Sequence, residues 1–141
     1  MISANACSNI TTNFKPIVYI YTLKQSIHIL KTIVITGTSR GIGLEICRIL
    51  SAQGHQILSL SRNIHPELAQ WKSVTTLSVD LSDLAASAEE IKHHIAKLGG
   101  VDALIHNAGV LVNKPFEELT LADFQRVYEV NVFGVAQLTQ L

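Results

Sequence analysis

An α/β fold with a doubly wound parallel sheet is predicted by three observations. First, residues 32–43 read Thr-Ile-Val-Ile-Thr-Gly-Thr-Ser-Arg-Gly-Ile-Gly, a β-branched run suited to a buried strand and then three glycines. Second, Ile42, Ile46, Ile49 and Leu50 repeat at helical spacing until Gly54 stops the pattern. Third, strand-like and helix-like stretches go on alternating to the end of the chain. Repeated β-α units with right-handed crossovers build such a sheet, here with the predicted strand order 3-2-1-4.

The first strand is predicted at Thr32–Thr36 and its helix at Gly41–Gln53. The second strand is Gln56–Ser61. A short helix near Pro66–Trp71 comes next, with Pro66 in its first turn, where a missing N–H costs nothing. The third strand is Thr75–Asp80. The next helix runs Ser82–Leu98, with Ser82 as N-cap, a buried stripe of Leu84, Ala88, Ile91 and Ile95, and a stop at Gly99-Gly100. The fourth strand is Asp102–His106. After a loop containing Pro115, Thr120 caps the last helix, with Asp123 in place of the usual Glu of a capping box. Leu121, Phe124, Tyr128, Val135 and Leu138 are predicted to share one face of it, and at ~100° per residue Asn131 falls inside that stripe.

The bulk properties allow one domain with a modest core at 141 residues. A hydrophobic content of 48% and a mean hydropathy of +0.30 suit a parallel sheet covered on both faces. Eleven basic and eleven acidic residues cancel, so nothing points to nucleic acid. Two cysteines, Cys7 and Cys47, make no disulfide framework, and a reducing, cytoplasmic setting is expected. The adjacent His93 and His94 point to different sides of a helix, and no metal is expected.

Residues 1–30 carry no glycine and no acidic residue. Their apolar patch Ile17–Leu23 is too short to span a membrane and is closed by Lys24, and no small-residue cleavage site follows cleanly. The segment reads as an added strand, a disordered leader, or an upstream stretch translated from a mis-assigned start. The last two are preferred, because the fold's first strand begins only at about Thr32. The chain stops at Leu141 within a helical pattern, so residues 31–141 are expected to be the N-terminal part of a longer domain.

A strand, a glycine turn and a helix N-terminus hold a dinucleotide pyrophosphate. The turn admits close backbone approach, and the helix end offers free N–H groups and partial positive charge. Gly37, Thr38, Ser39, Arg40, Gly41, Ile42 and Gly43 are therefore candidate cofactor-binding residues. Their spacing, Gly-x-x-x-Gly-x-Gly, differs from the general Gly-x-Gly-x-x-Gly fingerprint, and the alternative is an ordinary glycine turn. Asp80, at the end of the third strand, either starts a loop and caps the next helix or serves the site. Asn107-Ala108-Gly109 is either a plain turn or part of the site. A buried amide without partners costs about 1–3 kcal/mol, so Asn131 binds backbone or water, or serves the site.

Taken together these motifs resemble the short-chain dehydrogenase/reductase family over about residues 31–141. The family's Thr-Gly-x-x-x-Gly-x-Gly is matched by Thr36, Gly37, Gly41 and Gly43. Asp80-Leu81 falls where the family holds the adenine ring. Asn107-Ala108-Gly109 matches the turn that stabilises the sheet beside the cofactor. Asn131, within Val-Asn-Val-Phe-Gly, matches the asparagine of the family's catalytic tetrad. His106 departs mildly from the second Asn of many members. The resemblance implies a Rossmann-like fold and a nicotinamide cofactor. It also implies a small carbonyl or alcohol substrate and a homo-oligomeric full-length protein.

NAD-binding members usually carry a carboxylate just after the second strand, accepting the ribose hydroxyls. Here that region is Ser59-Leu60-Ser61-Arg62-Asn63, and no acidic residue stands between Glu45 and Glu67. Arg62 and Arg40 suit a 2′-phosphate, so NADP(H) is expected in preference to NAD(H); the alternative is two solvated arginines. The family's general acid/base is a Tyr with Lys four residues on, supported by an upstream Ser. None of Tyr19, Tyr21 and Tyr128 has that lysine. The leading reading is a fragment of an NADP(H)-dependent oxidoreductase, inactive alone. A non-catalytic NAD(P)-binding sensor or interaction module is the second. An epimerase-like relative is the third, its usual Thr-Gly-x-x-Gly-x-x-Gly spacing being unmet.

Overall fold

The structure is a computed structural model that describes residues 29–141. The expected leader, with Cys7 and the patch Ile17–Leu23, lies outside the described residues except for Ile29 and Leu30, which are exposed. Four parallel strands form one sheet, β1 (Thr32–Thr36), β2 (Gln56–Ser61), β3 (Val74–Ser78) and β4 (Ala103–Ile105), in the order β3-β2-β1-β4. The predicted order is thus observed. β1 pairs Thr32 with Gln56 and Ile33 with Ala103, so it lies between β2 and β4.

Alternation along the strands divides the core into two layers. Ile33, Ile35 and Ile57 face α1 (Gly41–Ala52), where Leu44, Cys47 and Leu68 complete a buried cluster. Val34, Leu58, Leu60 and Leu77 face the other way, against Leu84, Ile91, Val130 and Leu138. Burial pushes the Cys47 thiol up to about 11, so it stays a neutral apolar filler. No helix among the described residues is long and apolar enough to cross a membrane.

β1 and β2 have the bounds read from the sequence; α1 is shorter by one residue at its end and β4 (read as Asp102–His106) by one at each end, the short helix is only Leu68–Gln70, and the remaining elements differ more. β3 ends at Ser78 rather than Asp80, because its ladder partner β2 ends at Ser61. The predicted helix 82–98 is a 3-10 segment, Leu81–Ser87, continued by α2 (Ala88–Lys97). The segment is kinked at Asp83, whose φ of −135° and ψ of 61° are not helical, and Leu81 and Leu84, on either side of the kink, are both buried. Asp80, not Ser82, is the N-cap, since its carboxylate accepts from the Ser82 N–H at 3.0 Å.

The last helix is broken in two. α3 (Leu121–Tyr128) and α4 (Gly134–Gln140) flank a π-helical turn at Glu129–Phe133. The Thr120–Asp123 capping box forms as read. Lys114, with Thr120, holds the Asp123 carboxyl down to about 2, so the box keeps its charge in all but strong acid. The predicted single stripe does not form, because a π turn takes extra residues and rotates α4 relative to α3. Leu121, Phe124 and Tyr128 are exposed, and so is Asn131; Val130, Gly134 and Leu138 are the buried residues.

Candidate functional site

The carboxyl ends of all four strands open on one cleft of about 550 Å3, at the point where the strand order reverses between β1 and β4. Gly37, Ser39 and Arg40 form one wall after β1. Ser61, Arg62 and Asn63 come from the end of β2, and Val79, Asp80 and Leu81 come after β3. Asn107, Ala108, Gly109 and Val110 come after β4, and Val130 reaches in from the π turn.

The glycine turn is held by Thr36 and Asn107. The buried Thr36 hydroxyl accepts the N–H groups of Asn107 at 3.1 Å and Ala108 at 3.0 Å. The Asn107 amide donates to the carbonyls of Thr36 at 3.2 Å and Gly37 at 2.9 Å. The turn after β4 is therefore a brace for the turn after β1 as well as a wall of the cleft. Gly37 has φ +73, and a Cβ there would lie 2.7 Å from the Ala108 Cα, so both backbone conformation and space demand glycine. Gly41 has φ +60 with open space around it, so only its conformation does.

The start of α1 fits a negatively charged group. Arg40 makes no side-chain cap, and the first turn holds no acidic residue. The N–H groups there are free of side-chain partners and carry the positive end of the helix dipole. With two arginines on the same cleft, the donors suit a phosphate-bearing dinucleotide.

Asp80 is committed elsewhere. It accepts the Ser82 N–H at 3.0 Å and the Ser82 hydroxyl at 2.7 Å, and these bonds, helped by the charges of Arg62 and Arg126, hold its carboxyl below the usual range. Among the described residues lining the cleft, only Arg40, Arg62 and Asp80 can carry charge, and none is a His, Cys, Tyr or Lys.

Of the candidate residues, Gly37, Ser39, Arg40, Arg62, Asp80, Leu81, Asn107, Ala108 and Gly109 line the cleft. Four loop residues do not. Thr38 turns its side chain under the turn and is fully buried, Ile42 points into solvent, Gly41 stands clear of neighbours and Gly43 packs against Asn107. Asn131 lies beside the cleft. Its Oδ1 accepts the Val110 N–H at 2.9 Å and its Nδ2 donates to the Val110 carbonyl at 2.8 Å. The backbone-binding alternative for Asn131 is thus realised. His106 pairs with Thr139 at 3.0 Å. Ser61, Asn63, Val79 and Val110 were not singled out from the sequence, although each adjoins a residue or motif that was. Among the described residues no group of three or more His, Cys, Asp or Glu side chains is arranged to hold a metal ion.

Residues 31–141 match the family model described as short chain dehydrogenase. This chain belongs to that family. The chain is similar to the L-xylulose reductase of Caenorhabditis elegans, 32% identical over 115 residues, covering 79% of this chain and 46% of that enzyme. The NADPH-dependent pterin aldehyde reductase of Arabidopsis thaliana is 31% identical over 122 residues, covering 81% of this chain and 50% of that enzyme. The short chain dehydrogenase of Leptospira borgpetersenii, solved with bound NAD+, superposes with a TM-score of 0.72 at 26% identity, covering 79% of this chain and 44% of that one. The chain spans about half the length of the curated relatives it matches.

Proposed function

We propose that this short-chain dehydrogenase chain binds NADP(H) in preference to NAD(H), as the cofactor-binding part of an oxidoreductase. That enzyme moves hydride between the nicotinamide and a small carbonyl or alcohol. The observation that carries the preference is the pair Arg40 and Arg62 on one cleft, with no carboxylate in the Ser61-Arg62-Asn63 wall. Asp80, the one acid among the described residues that line the cleft, is bonded to Ser82. A 2′-phosphate gains charge-assisted hydrogen bonds from guanidinium groups, whereas a bare ribose hydroxyl leaves them unmatched. Arg62→Asp is expected to weaken NADPH binding by about 10-fold or more and to favour NADH, one charge-assisted bond accounting for that much. Tighter binding of NADH than NADPH by the unmodified protein would defeat the reading.

The reductase chemistry needs a proton as well as a hydride. The cofactor supplies the hydride when bound, and the protein must move the proton. No tyrosine of this chain has lysine four residues on, and among the described residues none that lines the cleft is a His, Cys, Tyr or Lys. Asn131 is read as the one member of the family's catalytic set among these residues. Residues 1–141 by themselves are expected to oxidise no NADPH with reactive diketones or aldehydes in a spectrophotometric assay. Steady turnover that Asn131→Ala abolishes would contradict this. The exposed Leu121, Phe124 and Tyr128 support the further reading that the complete protein is a homo-oligomer.

A further inference from the structure

Three hydroxyl side chains are buried between the glycine turn and the end of β2, beside the apolar layer of Ile33, Ile35, Leu44, Cys47, Ile57 and Leu68. Thr38 Oγ1 lies 2.6 Å from Ser59 Oγ and 3.3 Å from Ser61 Oγ. Ser61 Oγ lies 2.8 Å from the Asn63 carbonyl oxygen. Each hydroxyl has one proton, and a carbonyl can only accept. The Ser61 proton therefore goes to Asn63, the Thr38 proton to Ser61 and the Ser59 proton to Thr38. One directed chain satisfies every contact, and among the described residues no buried side-chain N or O is left without a partner. From β3, the exposed Ser78 hydroxyl donates to the Arg62 carbonyl at 3.0 Å.

The carbonyls of two successive residues, Arg62 and Asn63, are thus each held by a serine, from two different strands. The Asn63 clamp is also tied through Thr38 to the turn that faces the pyrophosphate position. Hydroxyls in an apolar layer cost desolvation and add nothing that a valine or alanine would not supply by packing. What a fully satisfied network adds is fixed geometry. Arg62 is a long side chain, so where its guanidinium can reach depends on how its backbone is held.

We propose that Ser61 and Ser78 are positioning residues that set Arg62 for the 2′-phosphate of an NADP-type nucleotide. In the same proposal Thr38 keeps that loop in register with the glycine turn. The proposal rests on the reading of Arg62 as the 2′-phosphate ligand.

The test compares adenosine 2′,5′-bisphosphate with 5′-AMP, titrated against the full chain and monitored by phosphorus NMR, which resolves the two phosphates. Ser61→Ala and Ser78→Ala are each expected to weaken the bisphosphate by about 2- to 10-fold, the range of one neutral hydrogen bond, and to leave 5′-AMP within about twofold. Ser61→Thr, which keeps the hydroxyl, is expected to restore the preference. Should Ser61→Ala fail to fold, Ser78→Ala carries the test, since Ser78 is exposed at the strand end. Equal weakening of both ligands would mean a purely structural role and overturn the proposal. A preference for the bisphosphate kept by both alanine variants would overturn it while leaving the Arg62 reading intact. No preference in the unmodified chain would overturn the Arg62 reading and the proposal together.

Discussion

Gly43→Ala is expected to damage this fold far more than Gly41→Ala, although both add one methyl group to the same loop. A Cβ on Gly43 would overlap the Gly37 carbonyl oxygen and the Asn107 amide nitrogen. Those two atoms are themselves hydrogen-bonded at 2.9 Å, so neither can yield without breaking the brace between the turns after β1 and β4. Overpacking a rigid site costs about 1–3 kcal/mol, and a lost buried hydrogen bond adds about 1–3 kcal/mol more. Gly41 has nothing within 4 Å of its Cβ position, so alanine there meets only the left-handed backbone, at about 1–2 kcal/mol. Urea unfolding of the two variants should separate them by about 2–3 kcal/mol, the difference between the centres of these ranges. Similar midpoints for both would show that Gly43 is not a packing residue. Asn at position 41 should be tolerated better than Ala, because its side chain accepts the left-handed region.

The second large effect is expected at Gly134, the first residue of α4. A Cβ there would overlap the Leu81 carbonyl oxygen and lie 2.9 Å from the Leu81 Cβ. Leu81 is part of the cleft wall, next to Asp80. Relief has two routes. Leu81 can retreat, which deforms the cleft wall, or the helix can lift, which pulls Asn131 from its two bonds with Val110. Gly134→Ala is expected to cost about 2–3 kcal/mol, visible as a fall of several degrees in melting temperature. Hydrogen exchange distinguishes the routes. If the helix lifts, the Val110 N–H loses its Asn131 acceptor and exchanges faster; if Leu81 retreats, the Ser82 N–H bonded to Asp80 is the one released. A variant that melts like the unmodified protein, with both amides still protected, would mean that this helix crossing is looser than described.

Some features of this molecule are legible in the chain because they depend on neighbours in sequence. A β-branched run ending before Gly37 marks β1, the short run between Gly54 and the polar Arg62-Asn63 marks β2, and Thr120 with Asp123 forms its capping box within one turn. Right-handed β-α-β crossovers, which any such alternation obeys, leave only a few strand orders, and the order 3-2-1-4 is the one observed. The motifs Gly37 to Gly43, Asp80-Leu81 and Asn107 to Gly109 each come after a strand, and parallel strands bring their carboxyl ends to one edge. That is why residues 70 positions apart meet at one cleft.

What tertiary structure alone decided is which side chains turn away from that cleft. Thr38 lies in the loop that reads as cofactor-binding, yet its hydroxyl is taken by Ser59 and Ser61 from the neighbouring strand. Asp80 extends the third strand by pattern, but the ladder stops at Ser78 with its partner β2, which frees Asp80 to cap the next turn. The last helix shows the limit most plainly. A uniform 100° step places Asn131 in a buried stripe with Leu121 and Tyr128. The π turn breaks that step, and the Val110 backbone 21 positions away pairs with both ends of the Asn131 amide. Helical periodicity is a property of local dihedrals, and it carries no information about a partner that arrives from the loop after β4 to make a wider turn worth its poorer geometry.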